Sequence, residues 1–212
     1  MEAEKDLEAF KIIDFTNDNH PADGIGHGTF ISGVVGSRNK YCPGIAPDAE
    51  LYIFKLFSEK MESYTEWFLN AFNYVLDHDI DIVNLSNGST DFLDEPFNDK
   101  INELIAKGVV VVSAVGNEGP FQGTVNNPAD LIDVIGVGSL NDKGDNVAFF
   151  SSRGMTTNKL LDGYGIMKPD ILTFGENIKS LSIEDSPTCT LSSGTSVSSS
   201  VITGSIALAL SQ

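Results

Sequence analysis

At 212 residues, with apolar residues at 41% and spread along the whole length, the chain is long enough to bury a core of its own, which excludes a disordered segment. Thirty Asp and Glu stand against 13 Lys and Arg, for a net charge of -17. A surface that negative repels phosphate backbones and anionic lipid, so nucleic acid and the membrane surface are excluded as partners and a basic peptide is favoured.

Strand-like and helix-like stretches alternate from the start. A strand is expected over residues 11–16, followed by a polar turn over 17–21. A helix rich in small residues is expected over 28–35, and a strand over 49–56. Between 64 and 76, Trp67, Phe68, Ala71, Phe72, Val75 and Leu76 recur at helical spacing and define one apolar face. A short β-branched run over 80–85, a helix over 96–107 and the valine-rich strand 109–115 come next. Further strands are expected near 134–138 and 170–174, and a last helix begins at Thr195. Near-continuous apolar strands alternating with helices predict a parallel sheet covered on both faces, whose sites lie beyond the carboxyl ends of its strands.

Residues 1–8 contain no apolar stretch and are not expected to act as a cleavable signal, and 201–210 is too short to span a bilayer. Cys42 and Cys189 are too few for a disulfide framework and leave the redox compartment open.

Three short segments carry chemistry. His27, bracketed by Gly26 and Gly28, opens a helix where a neutral imidazole can take a proton from a hydroxyl. Asn117 follows the valine-rich strand inside Gly-Asn-Glu-Gly-Pro, where its amide can donate to a developing negative charge; the same residues also suit a plain turn. Ser196 lies at the start of the last helix, in the positive field of its N-terminus, where a serine can equally be a simple cap. His20 reads as a solvated turn residue, and His78, between Asp77 and Asp79, as a helix-end residue. Metal-binding spacings are absent.

Taken together these segments resemble the subtilisin-family serine proteases. Asp23, His27, Gly28, Thr29 and Gly33 match the pattern around the family's base, Ala114-Val-Gly-Asn-Glu-Gly119 its oxyanion segment, and Gly194-Thr-Ser-Val-Ser-Ser-Ser200 its nucleophile segment. Ile82 to Gly88, Phe149 to Gly154 and Lys168-Pro169-Asp170 also fit. Within the family the likeness is to the site-1 type, convertase-like enzymes of the secretory pathway. It is carried by Phe30, residues 46–51 and 67–74, Asn127-Pro-Ala-Asp130 and Arg153-Gly-Met-Thr-Thr157.

The resemblance implies a three-layer α/β fold with a mostly parallel central sheet flanked by helices, incomplete at its N-terminus, with residues 1–212 forming a partial peptidase domain. It implies that Ser196 attacks a peptide carbonyl, His27 acts as base and then acid, and Asn117 with the Ser196 N–H holds the oxyanion. Backbone at Ser86, Asn87 and Gly88, and at Ala114, Val115 and Gly116, would pair with an extended peptide or protein substrate. Asp91 and Asp94 would receive a basic side chain upstream of the cleaved bond. No cofactor is required for the chemistry. The loop over 37–43 is short against the calcium loop of bacterial relatives, while a structural calcium elsewhere stays compatible with the family. The parent would be membrane-anchored in the endoplasmic reticulum or Golgi, with no membrane segment in this chain.

The sequence departs from the family in one respect. The Asp-Thr/Ser-Gly motif that supplies the triad carboxylate is absent, and Asp14 and Asp18 fall in the segment that follows it in relatives. The expectation is a truncated catalytic domain, nearly inactive as it stands; the alternative is a pseudoprotease or peptide-binding module. Ser200 replaces a family proline.

Overall fold

Valine-rich and β-branched runs broken by amphipathic stretches become parallel strands and helices in the computed structural model, which describes residues 7, 9–156, 165–184 and 189–212. Thr157, part of the site-1-type likeness, lies outside the described residues. In chain order the elements are β1 (Ala9–Asp14), α1 (His27–Gly36), β2 (Leu51–Lys55), α2 (Thr65–Asp77), β3 (Ile82–Leu85), α3 (Glu95–Ala106) and β4 (Val110–Ala114). There follow β5 (Ile135–Leu140), β6 (Gly154–Met155), β7 (Met167–Lys168), β8 (Ile171–Phe174), β9 (Ile178–Leu181), β10 (Cys189–Ser192) and α4 (Thr195–Leu210). The chain is therefore α/β with a mostly parallel sheet. It divides into two units, one from the described parts of Met1–Asp79, Lys179–Leu191 and Gly204–Gln212, the other from Ile80–Ile178 and Ser192–Thr203.

In the first unit β1 and β2 pair in parallel, with Ile12 opposite Ile53 and Asp14 opposite Lys55. β1 ends two residues before the expected Thr16. Asp14 accepts the Thr16 N–H at 2.8 Å and its hydroxyl at 2.6 Å, and this local bonding turns the backbone out of the ladder. Helix α2 buries Trp67, Phe68, Ala71, Phe72 and Val75, the face that the spacing predicts. Each such large side chain contributes about 1.5–3 kcal/mol of transfer free energy. His78 caps α2, its Nδ1 2.9 Å from the Tyr74 carbonyl and its ring stacked on Tyr74. His20 pairs with Glu59 at 3.0 Å.

Helix α1 buries Phe30, Ile31, Val34 and Val35, and the Ser180 hydroxyl of β9 donates to the Phe30 carbonyl at 2.7 Å. Cys42 and Cys189 form a disulfide across 147 residues of sequence, packed with Leu7 and Leu181. Sequence spacing alone left this pair open, because the contact depends on a return of the chain through β9 and β10.

In the second unit the strand order is β3-β4-β5-β8, parallel throughout. Val111, Val112, Ala114 and Val137 form its buried centre. β8 begins after Asp170, whose carboxylate accepts the Gly136 N–H at 2.7 Å and the buried Lys168 ammonium at 2.6 Å. The short strands β6, β7, β9 and β10 had no periodic signal, being two to four residues long.

Candidate active site

The chemistry-bearing residues of the second unit gather where β4 ends and α4 begins. Strand β4 delivers Gly116 and Asn117, and the two-residue turn Ser193-Gly194 delivers Thr195 and Ser196. The buried Thr195 joins the two segments. Its hydroxyl is 3.1 Å from the Gly116 carbonyl and 3.1 Å from Asn117 Oδ1, and it accepts the Gly116 N–H at 3.2 Å. Asn117 Oδ1 also accepts the Thr195 N–H at 2.9 Å, so the asparagine caps helix α4 with its carbonyl. Sequence reading missed Thr195; its signal was only its place beside the candidate nucleophile.

This arrangement leaves three groups unspent. Within the second unit, and among the described residues, Asn117 Nδ2, the Ser196 N–H and the Ser196 hydroxyl have no hydrogen-bond partner. Ser196 Oγ and the Asn117 amide lie beside the bare Cα of Gly194. A methyl group there would lie 3.2 Å from Ser196 Oγ and 3.7 Å from Asn117 Nδ2. Gly194 has φ +155° and Gly116 φ +107°, and a side chain on Gly116 would run into Glu118, Asn126 and Ser152. Both turns therefore require glycine. An unspent amide donor and an unspent backbone N–H are the groups that can bind an oxyanion formed by attack of a neighbouring hydroxyl.

The first turn of α4 is held from β3. Ser86 Oγ donates to the Ser196 carbonyl at 3.0 Å and lies 3.0 Å from Ser199 Oγ. Asn84 bonds Ser86 Oγ at 2.7 Å and accepts the Thr203 hydroxyl at 3.0 Å. Ser200, at the family's proline position, donates its hydroxyl back to the Val197 carbonyl at 2.7 Å.

The candidate substrate segments differ from each other. Asn87 and Gly88 make no backbone hydrogen bond among the described residues, so their peptide groups can meet an extended chain. Those of Val115 and Gly116 are engaged: Val115 N–H with Val137, its carbonyl with Asn126, and Gly116 carbonyl with Ser152. Ala114 lies inside the β4–β5 ladder. Asp94 accepts the Phe97 N–H at 3.2 Å as the cap of α3, and Asp91 accepts the Leu93 N–H at 3.0 Å. Each acid thus has a part in shaping its loop.

In the first unit His27 is the first residue of α1, behind Gly26 at φ +90°. Burial of the ring lowers its pKa, and the Asp23 charge raises it by less. Within this unit neither ring nitrogen has a hydrogen-bond partner among the described residues. Asp23 is occupied otherwise, with Oδ1 taking the N–H groups of Ile25 and Gly26, and Oδ2 the N–H and hydroxyl of Thr29. Burial pushes the Asp23 carboxyl up, but these four bonds together hold it below its usual range. Asp14 bonds Thr16 and His20, and Asp18 bonds Lys55 and Glu59. The three carboxylates closest before His27 in sequence are all committed elsewhere.

No group of three or more His, Cys, Asp or Glu among the described residues is placed to hold a metal ion. In the loop over 37–43, Asn39 uses its side-chain oxygen for the Tyr41 N–H at 2.8 Å.

Compared with known proteins, residues 3–212 match the Peptidase_S8 (subtilase) family. The chain is 53% identical over 197 residues to the membrane-bound transcription factor site-1 protease of Homo sapiens, covering 93% of this chain and 18% of that protein. It is 49% identical over 197 residues to the subtilisin-like protease SBT6.1 of Arabidopsis thaliana, covering 93% and 19%. It thus spans about a fifth of the length of these relatives. Among solved structures, Sphericase superposes with a TM-score of 0.78 at 26% identity, over 92% of this chain and 67% of that one.

Proposed function

The chain belongs to the subtilase family, and from that premise we propose that it is the nucleophile-bearing part of a site-1-type serine endopeptidase that cleaves precursor proteins of the secretory pathway. The observation that carries the reading is that Asn117 Nδ2, the Ser196 N–H and the Ser196 hydroxyl are left without a partner among the described residues of the second unit, where β4 ends and α4 begins. Ser196 Oγ attacks the peptide carbonyl, and the Ser196 N–H and Asn117 Nδ2 receive the oxyanion. His27, neutral at physiological pH because its pKa is lowered, takes the serine proton and returns it to the leaving amine. The free peptide groups of Asn87 and Gly88 align the extended substrate. No cofactor enters these steps. The Cys42–Cys189 bond supports an oxidising compartment, as in the endoplasmic reticulum or Golgi. Among the described residues no helix is long and apolar enough to cross a membrane, so anchoring of the parent protein is assigned to none of them.

The commitment of Asp14, Asp18 and Asp23 favours a second reading, a peptide-binding pseudoprotease, unless a further carboxylate orients His27. One experiment separates the two. A protein made with an upstream segment bearing the family's Asp-Thr/Ser-Gly motif should react with a fluorophosphonate probe at Ser196, and the 212-residue form only slowly. Loss of label in Ser196→Ala identifies the site. An extended protein that never labels but still binds peptide would be the pseudoprotease.

A further inference from the structure

Asn87 and Gly88 are the only Asn-Gly pair of the chain. They follow β3, outside any strand or helix, with Asn87 half-buried and Gly88 exposed. Asn-Gly is ordinary turn material because both residues tolerate a positive φ. That reason is absent here, since neither has one. Crowding fixes the glycine instead: a methyl group on Gly88 would lie 2.9 Å from the Asn127 carbonyl oxygen and 3.0 Å from Asn126 Cβ.

An asparagine side chain closes on the main chain when the next backbone nitrogen is free to attack it and the next residue carries no side chain to block the approach. At other asparagines that nitrogen is committed. The N–H after Asn17 goes to Thr16 Oγ1 at 3.2 Å, and the one after Asn117 to Ser152 Oγ at 3.1 Å. The N–H after Asn126 goes to the Ser89 carbonyl at 2.9 Å, and the one after Asn141 to Glu176 at 2.9 Å. Among the described residues neither the Gly88 N–H nor the Asn87 side-chain amide has a partner. The pair is a short span between two anchors, Ser86 Oγ on the Ser196 carbonyl at 3.0 Å and the Ser89 N–H on the Asn127 carbonyl at 3.1 Å.

We propose that Asn87 is a self-modification site, whose conversion alters the strand that aligns the substrate. The Gly88 nitrogen bonds to Asn87 Cγ as the Cγ–Nδ2 bond breaks, and the nitrogen's proton leaves with the amide as ammonia. Water then opens the cyclic imide at either carbonyl, giving aspartate or isoaspartate at position 87. Isoaspartate routes the main chain through the former side chain, which adds a methylene and moves the peptide groups of Asn87 and Gly88 out of register with an extended chain. The effect on substrate rests on the acyl-transfer reading above; the conversion itself does not.

The experiment incubates the 212-residue protein at mildly alkaline pH and maps its peptides by mass over time, with an isoaspartyl methyltransferase to detect isoaspartate. Conversion is expected at residue 87 before any other described asparagine, and faster as pH rises because the attacking nitrogen must lose its proton. Asn87→Gln should convert far more slowly, since its amide has to close a larger ring. In the same samples Ser196 is labelled with a plain fluorophosphonate and with a diphenyl phosphonate carrying a tetra-alanine tail, which must pair with the strand. Conversion should slow the peptidyl probe about fivefold relative to the plain one, the loss of one strand-pairing hydrogen bond. In Asn87→Gln that ratio, whatever its starting value, should not change with age. Earlier conversion of another described asparagine, or conversion at residue 87 with an unchanged ratio in a protein that labels, would overturn the proposal. Conversion at residue 87 in a protein that neither probe labels would overturn the protease reading and leave the modification site standing.

Discussion

The side-chain carbonyl of Asn117 accepts the backbone N–H of Thr195 at 2.9 Å, so one residue caps helix α4 with its oxygen while its amide nitrogen stays unspent among the described residues of the second unit. The two duties use opposite ends of the amide and can be separated by substitution. Asn117→Asp keeps the acceptor oxygen and so preserves the cap, but replaces the donor nitrogen with a second oxygen and a negative charge. Asn117→Ala removes both. We expect both variants to lose about 10²–10³ in kcat, a magnitude that comes from subtilisin itself rather than from this chain. The alanine variant alone should also lose about 0.5–2 kcal/mol of stability. Labelling rates at Ser196 and thermal melts of the two variants check this; equal melting losses would mean that the cap contributes nothing.

Gly194 gives a second test of the same site. The added methyl of Gly194→Ala would lie 3.2 Å from Ser196 Oγ, in the space a substrate carbonyl would enter, on a backbone at φ +155° that alanine resists. Strained backbone of this kind costs about 1–3 kcal/mol. Fluorophosphonate labelling should fall by at least about tenfold even where the protein remains folded. Unchanged labelling would show that the reactive space lies elsewhere.

The sheet and helices of this fold were legible because their signals are periodic. The valine run of β4 and the Trp67-to-Val75 face of α2 each repeat long enough to be read. The candidate residues Asn117 and Ser196 were legible as short patterns at the ends of such elements. Thr195 was not, because its importance is a matter of two hydroxyl contacts across 79 and 78 residues of sequence. The engaged peptide groups of Val115 and Gly116 were hidden for the same reason: their partners Val137, Asn126 and Ser152 are set by the return path of the chain. The disulfide belongs with these long-range facts, and Asp23 shows the reverse case. A carboxylate four residues before His27 is conspicuous in sequence, yet its oxygens serve the first turn of α1.

The Cys42–Cys189 bond closes a sequence separation of 147 residues, and removing so long a loop closure releases the unfolded chain. On the chain-entropy account the loss is roughly 2–5 kcal/mol. Melting with and without a reductant, beside the paired Cys42→Ser and Cys189→Ser substitution, should show matching decreases in Tm. A reductant that leaves Tm untouched while the double variant melts early would point to lost packing of Leu7 and Leu181 instead.

The last test concerns pH. Only the neutral ring of His27 can accept the serine proton, so labelling should rise with pH through the His27 pKa. Burial lowers that pKa, and the limb should have its midpoint below the ordinary imidazole value of about 6.5. The Asp23 charge works in the opposite direction, favouring the imidazolium. Asp23→Asn removes that charge while an amide oxygen can still accept the Thr29 N–H, so its limb should move further toward acid. A shift toward alkali would mean that Asp23 does not act on the ring by charge. A limb that stays in place would mean that the Asp23 charge is not felt by the titrating base.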